Sequence, residues 1–224
     1  MTADPSARGP EKPRAILFDW DNTLVDTWPV IHGALNLTLA KYGLDPWTLE
    51  QTRARVRKSM RESFPLLFGE NWQEAGDFFL RSYGERHLQL LTPIPDAEET
   101  LRELHATGLF LGVVSNKTGA FLRAEAEQLG WTRYLTNLVG AQDAPRDKPA
   151  VEPVDMALDG SGVARGSEVW FVGDTDVDLE CAVNAGCAPV LVRETPPAEG
   201  EFGGNTPVLH VHHLQTLSKL VSRM

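Results

Sequence analysis

Cysteine is scarce in this chain. Its 224 residues include only Cys181 and Cys187, which lack the paired spacing of a zinc site and cannot form a framework of several disulfides. Such sparing use of cysteine is typical of proteins from a reducing compartment. We expect both residues to be small, buried, apolar side chains.

Long apolar runs are also missing. The longest, such as residues 109–115, are far shorter than the roughly 20 residues of a membrane-spanning helix. Residues 1–12 lack the apolar stretch of a secretory signal. We therefore expect a cytoplasmic protein that does not bind membranes.

Positive charge is in deficit. The chain has 21 Lys and Arg against 31 Asp and Glu, a net charge of −10, and this field repels nucleic acid, which we exclude as a partner. An anionic ligand must then be met by a local positive site. Hydrophobic residues make up 42% of the chain, which is near the globular average, so we expect it to fold.

The chain divides into segments of different character. Residues 1–13 have no hydrophobic periodicity and are expected to form a flexible tail. Residues 14–26 and 93–224 alternate short apolar strands with helices, which is typical of a doubly wound parallel sheet. Residues 27–92 are almost purely helix-like. The predicted fold is α/β, a Rossmann-like parallel-sheet core with a small α-helical cap inserted after the first strand.

Two patterns locate the expected elements. In the cap, apolar residues recur at three- and four-residue spacing in 30–42, 47–60 and 72–91, and these segments are separated by Gly43, Pro46, Pro65 and Gly69. In the core, short apolar runs predict strands at 15–18, 109–114, near 138, at 169–172, 189–192 and 208–211.

The first predicted strand ends in two carboxylates, Asp19 and Asp21. Asn22 follows and tolerates the left-handed backbone that a tight turn needs. The spacing lets both carboxylates point into one crevice, where one can attack a phosphate and the other can move protons. The alternative interpretation is a turn whose acids are solvated.

Two later strands are also followed by polar side chains. Ser115 and Asn116 come after the strand at 109–114 and can hold phosphate oxygens, although Ser115 could equally be an ordinary helix cap. Lys148 follows the next strand and could neutralise both a phosphate and Asp19, although isolated lysines are usually solvated. Because ligands of such sheets bind beyond the carboxyl ends of the strands, we expect these side chains to lie together.

An acidic cluster follows the strand at 169–172. It contains Asp174, Asp176 and Asp178, and hard oxygen ligands of this kind suit Mg²⁺. Asp174 is the predicted direct ligand, Asp178 can orient water or Lys148, and Asp176 can begin a helix and interact with its dipole.

These four motifs, in this order, resemble those of the haloacid dehalogenase superfamily of aspartate-nucleophile phosphatases. The resemblance extends over residues 15–192. The helical insertion resembles the small cap of phosphoglycolate-phosphatase-like and phosphoglucomutase-like members. Asn22 departs from the commoner glycine of that family.

The resemblance implies a role for each matching residue. Asp19 would attack phosphorus, Asp21 would act as general acid and base, and Thr23 would help to orient Asp21. Ser115 and the backbone amide of Asn116 would bind the phosphoryl oxygens.

The resemblance also implies a metal site. Mg²⁺ would bind Asp19, the backbone carbonyl of Asp21 and Asp174, with Asp178 in support. Lys148 would balance charge.

Basic residues cluster in the predicted cap, and the resemblance places Arg57 and Lys58 near the site. There they could contact a carboxylate or a second phosphate of the substrate. The alternative is a solvated helix face. The cluster consists of Arg53, Arg55, Arg57, Lys58 and Arg61.

The predicted protein is a Mg²⁺-dependent phosphatase that hydrolyses small phosphate monoesters, such as phosphoglycolate-like compounds or sugar phosphates, through an aspartyl-phosphate. Asp21 argues against dehalogenation, because a halide leaves without being protonated. Two alternatives stay open: a phosphomutase of the β-phosphoglucomutase type, and a non-catalytic phosphate-sensing protein. We expect a monomer or a homodimer.

Overall fold

The computed structural model describes residues 10–56 and 58–224. Most of the predicted tail and Arg57 therefore lie outside the described residues. The helices and strands are, in chain order, β1 (Ala15–Phe18), β2 (Val25–Asp26), α1 (Trp28–Lys41), α2 (Leu49–Arg55), α3 (Met60–Phe68), α4 (Trp72–Gly84), β3 (Thr92–Pro93), α5 (Ala97–Ala106), β4 (Phe110–Thr118), α6 (Gly119–Gln128), β5 (Asn137–Ala141), α7 (Glu152–Ala157), β6 (Val169–Gly173), α8 (Asp176–Asn184), β7 (Ala188–Val192), β8 (Leu209–Val211) and α9 (Leu214–Val221).

Six parallel strands form the main sheet in the order β5-β4-β1-β6-β7-β8. The chain fills one half of the sheet outward from β1 and then the other half outward from β6. This reversal is the mark of a doubly wound, Rossmann-like fold and confirms the predicted fold class. It also creates a crevice between the carboxyl ends of β1 and β6.

Strand β1 is anchored on both faces of the sheet. Ile16 and Phe18 belong to one hydrophobic cluster, and Ala15 and Leu17 to a second. This alternation follows from the two-residue period of a strand. All four residues are completely buried, so the residue that follows them is held in a rigid frame.

The helical segment has its own apolar core, in which Leu35 and Leu39 of α1 pack with Phe64 and Phe68 of α3. An antiparallel ribbon of β2 and β3 lies where the chain enters and leaves this segment. The division into a tail at 1–13, a core at 14–26 and 93–224 and a cap at 27–92 stays a proposal, which the ribbon supports.

Some helix boundaries differ from the prediction. We expected Pro65 to separate helices, but α3 runs from Met60 to Phe68 with Pro65 inside it. The lost backbone hydrogen bond is tolerated because Phe64 and Phe68, on either side of the proline, are both buried. The predicted helix at 72–91 ends early, since α4 stops at Gly84 and turns follow.

Strand β4 is longer than predicted. It continues to Thr118, with an irregular register against β5 between Val114 and Thr118. Thr118 is the residue that precedes α6. Ser115 therefore lies within the strand, and the alternative that it is an ordinary helix cap is wrong.

None of the helices among the described residues combines the length and the apolar character that a membrane crossing requires.

Gly140 allows β5 to pass close to the start of α6. A Cβ atom there would lie 2.4 Å from the Cα atom of Gly119 and 2.6 Å from the carbonyl oxygen of Lys117. We expect Gly140→Ala to lower the free energy of unfolding by about 2–3 kcal/mol, because backbone must shift to make room. Urea denaturation measures this change.

Gly33→Ala is the matched control. Nothing lies within 4 Å of a Cβ atom at Gly33, which is inside α1, so alanine should raise stability by about 0.5–1 kcal/mol. Equal effects of the two substitutions would contradict the close approach.

Candidate functional site

The candidate site lies at the crevice between β1 and β6. Asp19 follows β1, and its backbone N–H donates to the carbonyl of Val172 at 2.8 Å. Asp174 follows β6 directly. One carboxylate oxygen from each of Asp19, Asp174 and Asp178 lies within 4.8 Å of the others. The structure thus brings together acids that are up to 159 positions apart in the sequence.

Lys148 sits inside this acidic group. Its Nζ atom donates to Oδ1 of Asp19 and to Oδ1 of Asp178, both at 2.7 Å. The lysine side chain is 3% exposed, so the alternative of a solvated lysine is wrong. Burial opposes its charge, but the charges of Asp178 and Asp19 outweigh burial and raise the pKa of Lys148 above its ordinary value.

Asp178 is held by the start of α8. Its Oδ2 atom accepts from the backbone N–H of Thr175 at 3.0 Å and from the Thr175 hydroxyl at 2.7 Å. A Cβ atom at Gly173 would lie 2.3 Å from Cβ and Cγ of Asp178, so this approach requires glycine. Asp178 is therefore fixed by the same turn that presents Asp174.

The acids outnumber the neighbouring cation. Burial is the largest influence that raises the pKa of Asp19 to about 7, with Lys148 opposing it and Asp178 and Asp21 adding to it. Burial and the charges of Asp178 and Asp19 likewise raise the pKa of Asp174 well above its ordinary value. A further cation between these groups would relieve their repulsion.

The donor set fits a divalent metal ion. It offers hard carboxylate oxygens, the ligands that Mg²⁺ prefers. Both oxygens of Asp178 already accept hydrogen bonds, so Asp19 and Asp174 are the better placed to bind the ion directly. A supporting position for Asp178, as the resemblance implied, agrees with this arrangement.

The turn after Asp19 has the geometry expected of Asn22. Its φ angle is 63°, in the left-handed region, which asparagine tolerates. The hydroxyl of Thr23 donates to Oδ1 of Asp174 at 3.1 Å. We expected Thr23 to orient Asp21. In the structure the buried side chain of Thr23 instead points to the end of β6, because the left-handed turn precedes it, and it holds the carboxylate of Asp174.

Asp21 instead pairs with Lys117, which the sequence reasoning missed. The Nζ atom of Lys117 lies 2.8 Å from Oδ1 of Asp21. The sequence signal was weak: Lys117 is two residues after Ser115, and the two would share a face only if the strand continued past its predicted end at 114. The lysine lies on β4 and is almost fully buried.

Glu125 is the second partner of Lys117 and was also missed. The Glu125 side chain is 0% exposed, and its two oxygens lie 3.0 and 2.9 Å from Nζ of Lys117. It also accepts from the hydroxyl of Tyr83 at 3.0 Å and from the indole N–H of Trp20 at 2.7 Å. A buried polar network therefore connects Asp21 to the end of α4.

Ser115 and Asn116 line the same cavity as Asp19. The Ser115 hydroxyl oxygen accepts from the backbone N–H of Lys117 at 3.2 Å. The side-chain amide of Asn116 donates to the carbonyl of Lys148 at 3.2 Å, which ties β4 to the lysine loop. Their binding of phosphate stays a prediction.

The cavity above Asp19 has a volume of about 180 Å³ and is lined on its far side by the helical segment. Lys58 and Arg55 line it, whereas Arg57 lies outside the described residues. Arg61, another member of the basic cluster, forms a bidentate ion pair with Asp147 of the core.

Comparisons with known proteins agree on the family. The model of a family described as haloacid dehalogenase-like hydrolase matches residues 16–192. A phosphoglycolate phosphatase of Xanthomonas campestris pv. campestris (strain 8004) is 31% identical, over 80% of this chain and 82% of its own length. One from Chromobacterium violaceum is 28% identical, over 92% of this chain and 96% of its own length.

A solved structure shares the fold. It is the crystal structure of a predicted phosphoglycolate phosphatase from Haemophilus somnus 129pt, with a TM-score of 0.81 and 22% identity. The match covers 93% of this chain and 98% of the other.

The pKa of Asp19 predicts how stability depends on pH without a metal ion. The folded pKa of about 7 exceeds the ordinary 3.8, so between these values the folded protein binds more protons than the unfolded one. The contribution of Asp19 to the free energy of unfolding is therefore present at low pH and is lost as pH rises toward about 7. In chelator, Asp19→Asn should remove this loss and make the protein more stable than wild type near pH 8, as thermal melting would measure.

Asp159→Asn is the control for this experiment, because Asp159 is exposed and should leave the pH dependence unchanged. An Asp19→Asn protein with the wild-type pH dependence would contradict the raised pKa.

Glu125 should contribute strongly to stability. Glu125→Ala leaves the buried Lys117 with a cavity in place of one carboxylate, and we expect the free energy of unfolding to fall by about 3–5 kcal/mol. Glu127→Ala, two residues along α6 and exposed, should change it by no more than about 0.5 kcal/mol. Urea denaturation of both variants measures the difference, and similar values would refute the network's contribution.

Proposed function

The chain belongs to the haloacid dehalogenase-like hydrolase family, and from this premise we propose that it hydrolyses small phosphate monoesters through an aspartyl-phosphate on Asp19. It is a phosphatase, a phosphoric monoester hydrolase. The observation that carries the proposal is the contact of 2.7 Å between Lys148 and Asp19, inside a cavity that has room for a phosphate group.

In the first step, Asp19 attacks phosphorus. Lys148 holds its Oδ1 atom, so Oδ2 is the oxygen free to form the new bond. As the bond between phosphorus and the ester oxygen breaks, Asp21 donates a proton to that oxygen, and the alcohol leaves. Asp21 is then a carboxylate 2.8 Å from Nζ of Lys117, which stabilises the charge.

In the second step, water attacks the phosphorus of the aspartyl-phosphate. Asp21 takes a proton from this water, the bond between phosphorus and Asp19 breaks, and inorganic phosphate is released. Asp19 returns as a carboxylate and Asp21 as an acid, so the cycle closes without any other reactant.

Positive charge and hydrogen-bond donors hold the phosphoryl group throughout. Lys148 offsets the repulsion between Asp19 and the phosphate. The Ser115 hydroxyl and the backbone amide of Asn116 donate to the phosphoryl oxygens. Thr23 contributes indirectly, because its hydroxyl holds the carboxylate of Asp174 in place.

Mg²⁺ is the proposed cofactor. When bound, it would be held by Asp19, the backbone carbonyl of Asp21 and Asp174, with Asp178 in support, and it would neutralise negative charge on the phosphoryl group. The clustering of Asp19, Asp174 and Asp178 supports this assignment.

The substrate proposed from the relatives is phosphoglycolate or a sugar phosphate. Relatives named phosphoglycolate phosphatase support this class, and Lys58 lines the cavity where a substrate carboxylate could bind. We extend the same role to Arg57. One chain supplies every proposed site residue, so either a monomer or a homodimer can act.

The nucleophile is tested by Asp19→Asn in a screen of phosphate monoesters at millimolar Mg²⁺. We expect kcat to fall by at least about 10³-fold, because an amide cannot form the intermediate. Asp21→Asn should lower kcat by about 10²- to 10⁴-fold, because proton transfer is lost. Release of inorganic phosphate measures both.

Asp159→Asn is again the control. The carbonyl of Asp159 accepts from the side chain of Asn137, the first residue of β5. Asp159 therefore lies at the amino ends of the strands, away from the site at their carboxyl ends, and its variant should keep wild-type activity. Near-wild-type turnover by Asp19→Asn would exclude Asp19 as the nucleophile. Conversion of glucose 1-phosphate to glucose 6-phosphate without release of phosphate would favour a mutase.

A further inference from the structure

The helical side of the cavity is unusually apolar for a site that is expected to bind polyols or hydroxy acids. It combines aromatic and aliphatic side chains from three helices. These include Trp28, Ile31, Leu35, Phe64, Leu67 and Phe79.

Few polar atoms on this side are free to bind a substrate hydroxyl. The Ser63 hydroxyl donates to the carbonyl of Ser59 at 2.9 Å, which leaves it able only to accept. The Tyr83 hydroxyl is committed to Glu125. Among the described residues of this wall, no carboxylate or side-chain amide lines the cavity.

Among the described residues, the two cations of this wall lie at the surface. Lys58 and Arg55 are both exposed, and the guanidinium of Arg55 lies 4.6 Å from the centre of the Trp47 ring. Such groups can attract a phosphate dianion to an acidic protein. They do not make the buried wall polar.

The volume of the cavity suits a small leaving group. About 180 Å³ is close to the roughly 150 Å³ of an apolar engineered cavity that admits benzene. The space holds a phosphoryl group together with part of one ring or a short branched chain.

We infer that the preferred substrate is a phosphate monoester of a small apolar alcohol, with a single carbocyclic ring or a short branched alkyl group. This inference rests on the proposed phosphatase activity, and for the preferred substrate it departs from the phosphoglycolate or sugar phosphate that the relatives suggest. The phosphoryl group binds at Asp19 and Lys148, and the alkyl part is buried against the apolar wall. A sugar would lose water from its hydroxyls without gaining equivalent hydrogen bonds there, and among the described residues of this wall a glycolate carboxylate would meet only the exposed cations Lys58 and Arg55.

Matched pairs of esters test the preference. Cyclohexylmethyl phosphate and glucose 6-phosphate both carry a six-membered ring and release a primary alcohol, but only the sugar has hydroxyls. Isobutyl phosphate and phosphoglycolate form a second pair of small primary esters. We expect kcat/KM to be about 10- to 100-fold higher for the apolar member of each pair.

A substitution in the wall tests its location. Leu67 lines the cavity, whereas its neighbour Leu66 is 87% exposed and does not. With methyl phosphate as the reference, Leu67→Asn should lower the ratio of kcat/KM for cyclohexylmethyl phosphate to that for methyl phosphate by about 10-fold. Leu66→Asn should keep the wild-type ratio. Leu80→Asn, on the same wall, is a second variant should Leu67→Asn fail to fold.

The outcomes separate this inference from the proposed function. Equal or faster hydrolysis of glucose 6-phosphate and phosphoglycolate, abolished by Asp19→Asn, would overturn the apolar preference and leave the proposed function intact. An unchanged ratio in both wall variants would also overturn it. No turnover of any ester, methyl phosphate included, would overturn the proposed function and this inference with it.

Discussion

The buried contact of Lys148 with Asp19 and Asp178 is the interaction on which the site depends. One ammonium lies 2.7 Å from both carboxylates and joins the end of β1, the loop before α7 and the first turn of α8. Buried ions are stable only when they are paired and hydrogen-bonded. Two carboxylates share Lys148 directly, so Asp174 adds an excess of negative charge, which is the electrostatic reason to expect a metal ion here.

The packing of the sheet compensates for the repulsion among the acids at its carboxyl edge. Strand β1 is completely buried against both faces, so the stability of the two apolar clusters offsets the repulsion among the acids beyond it. The reversal of strand order then leaves a gap between the helices at β1 and β6, where a phosphate can enter. The residues that stabilise the fold and the residues of the site thus lie next to one another at the ends of the same strands.

The sequence was enough to predict that Asp19 and Asp174 meet, because each directly follows a strand and parallel strands bring their carboxyl ends to one edge. Lys148 lies in a loop beyond β5, and its place beside them was predicted from the positive charge that a phosphate site needs. The pairing of Lys117 with Glu125 could not be predicted. It depends on β4 continuing to Thr118 through an irregular register, which local residue patterns do not specify. The prediction at Pro65 failed for the opposite reason, because tertiary burial of the flanking phenylalanines overrode a local preference.

Polar contacts couple the helical segment to the site. Arg61 of α3 pairs with Asp147, the residue before Lys148, and Tyr83 of α4 reaches Glu125, which holds Lys117 beside Asp21. Moving the helices away would therefore expose or unpair charges next to both Asp19 and Asp21. The same helices carry the apolar wall, so the helices that cover the site also hold its charged groups in place.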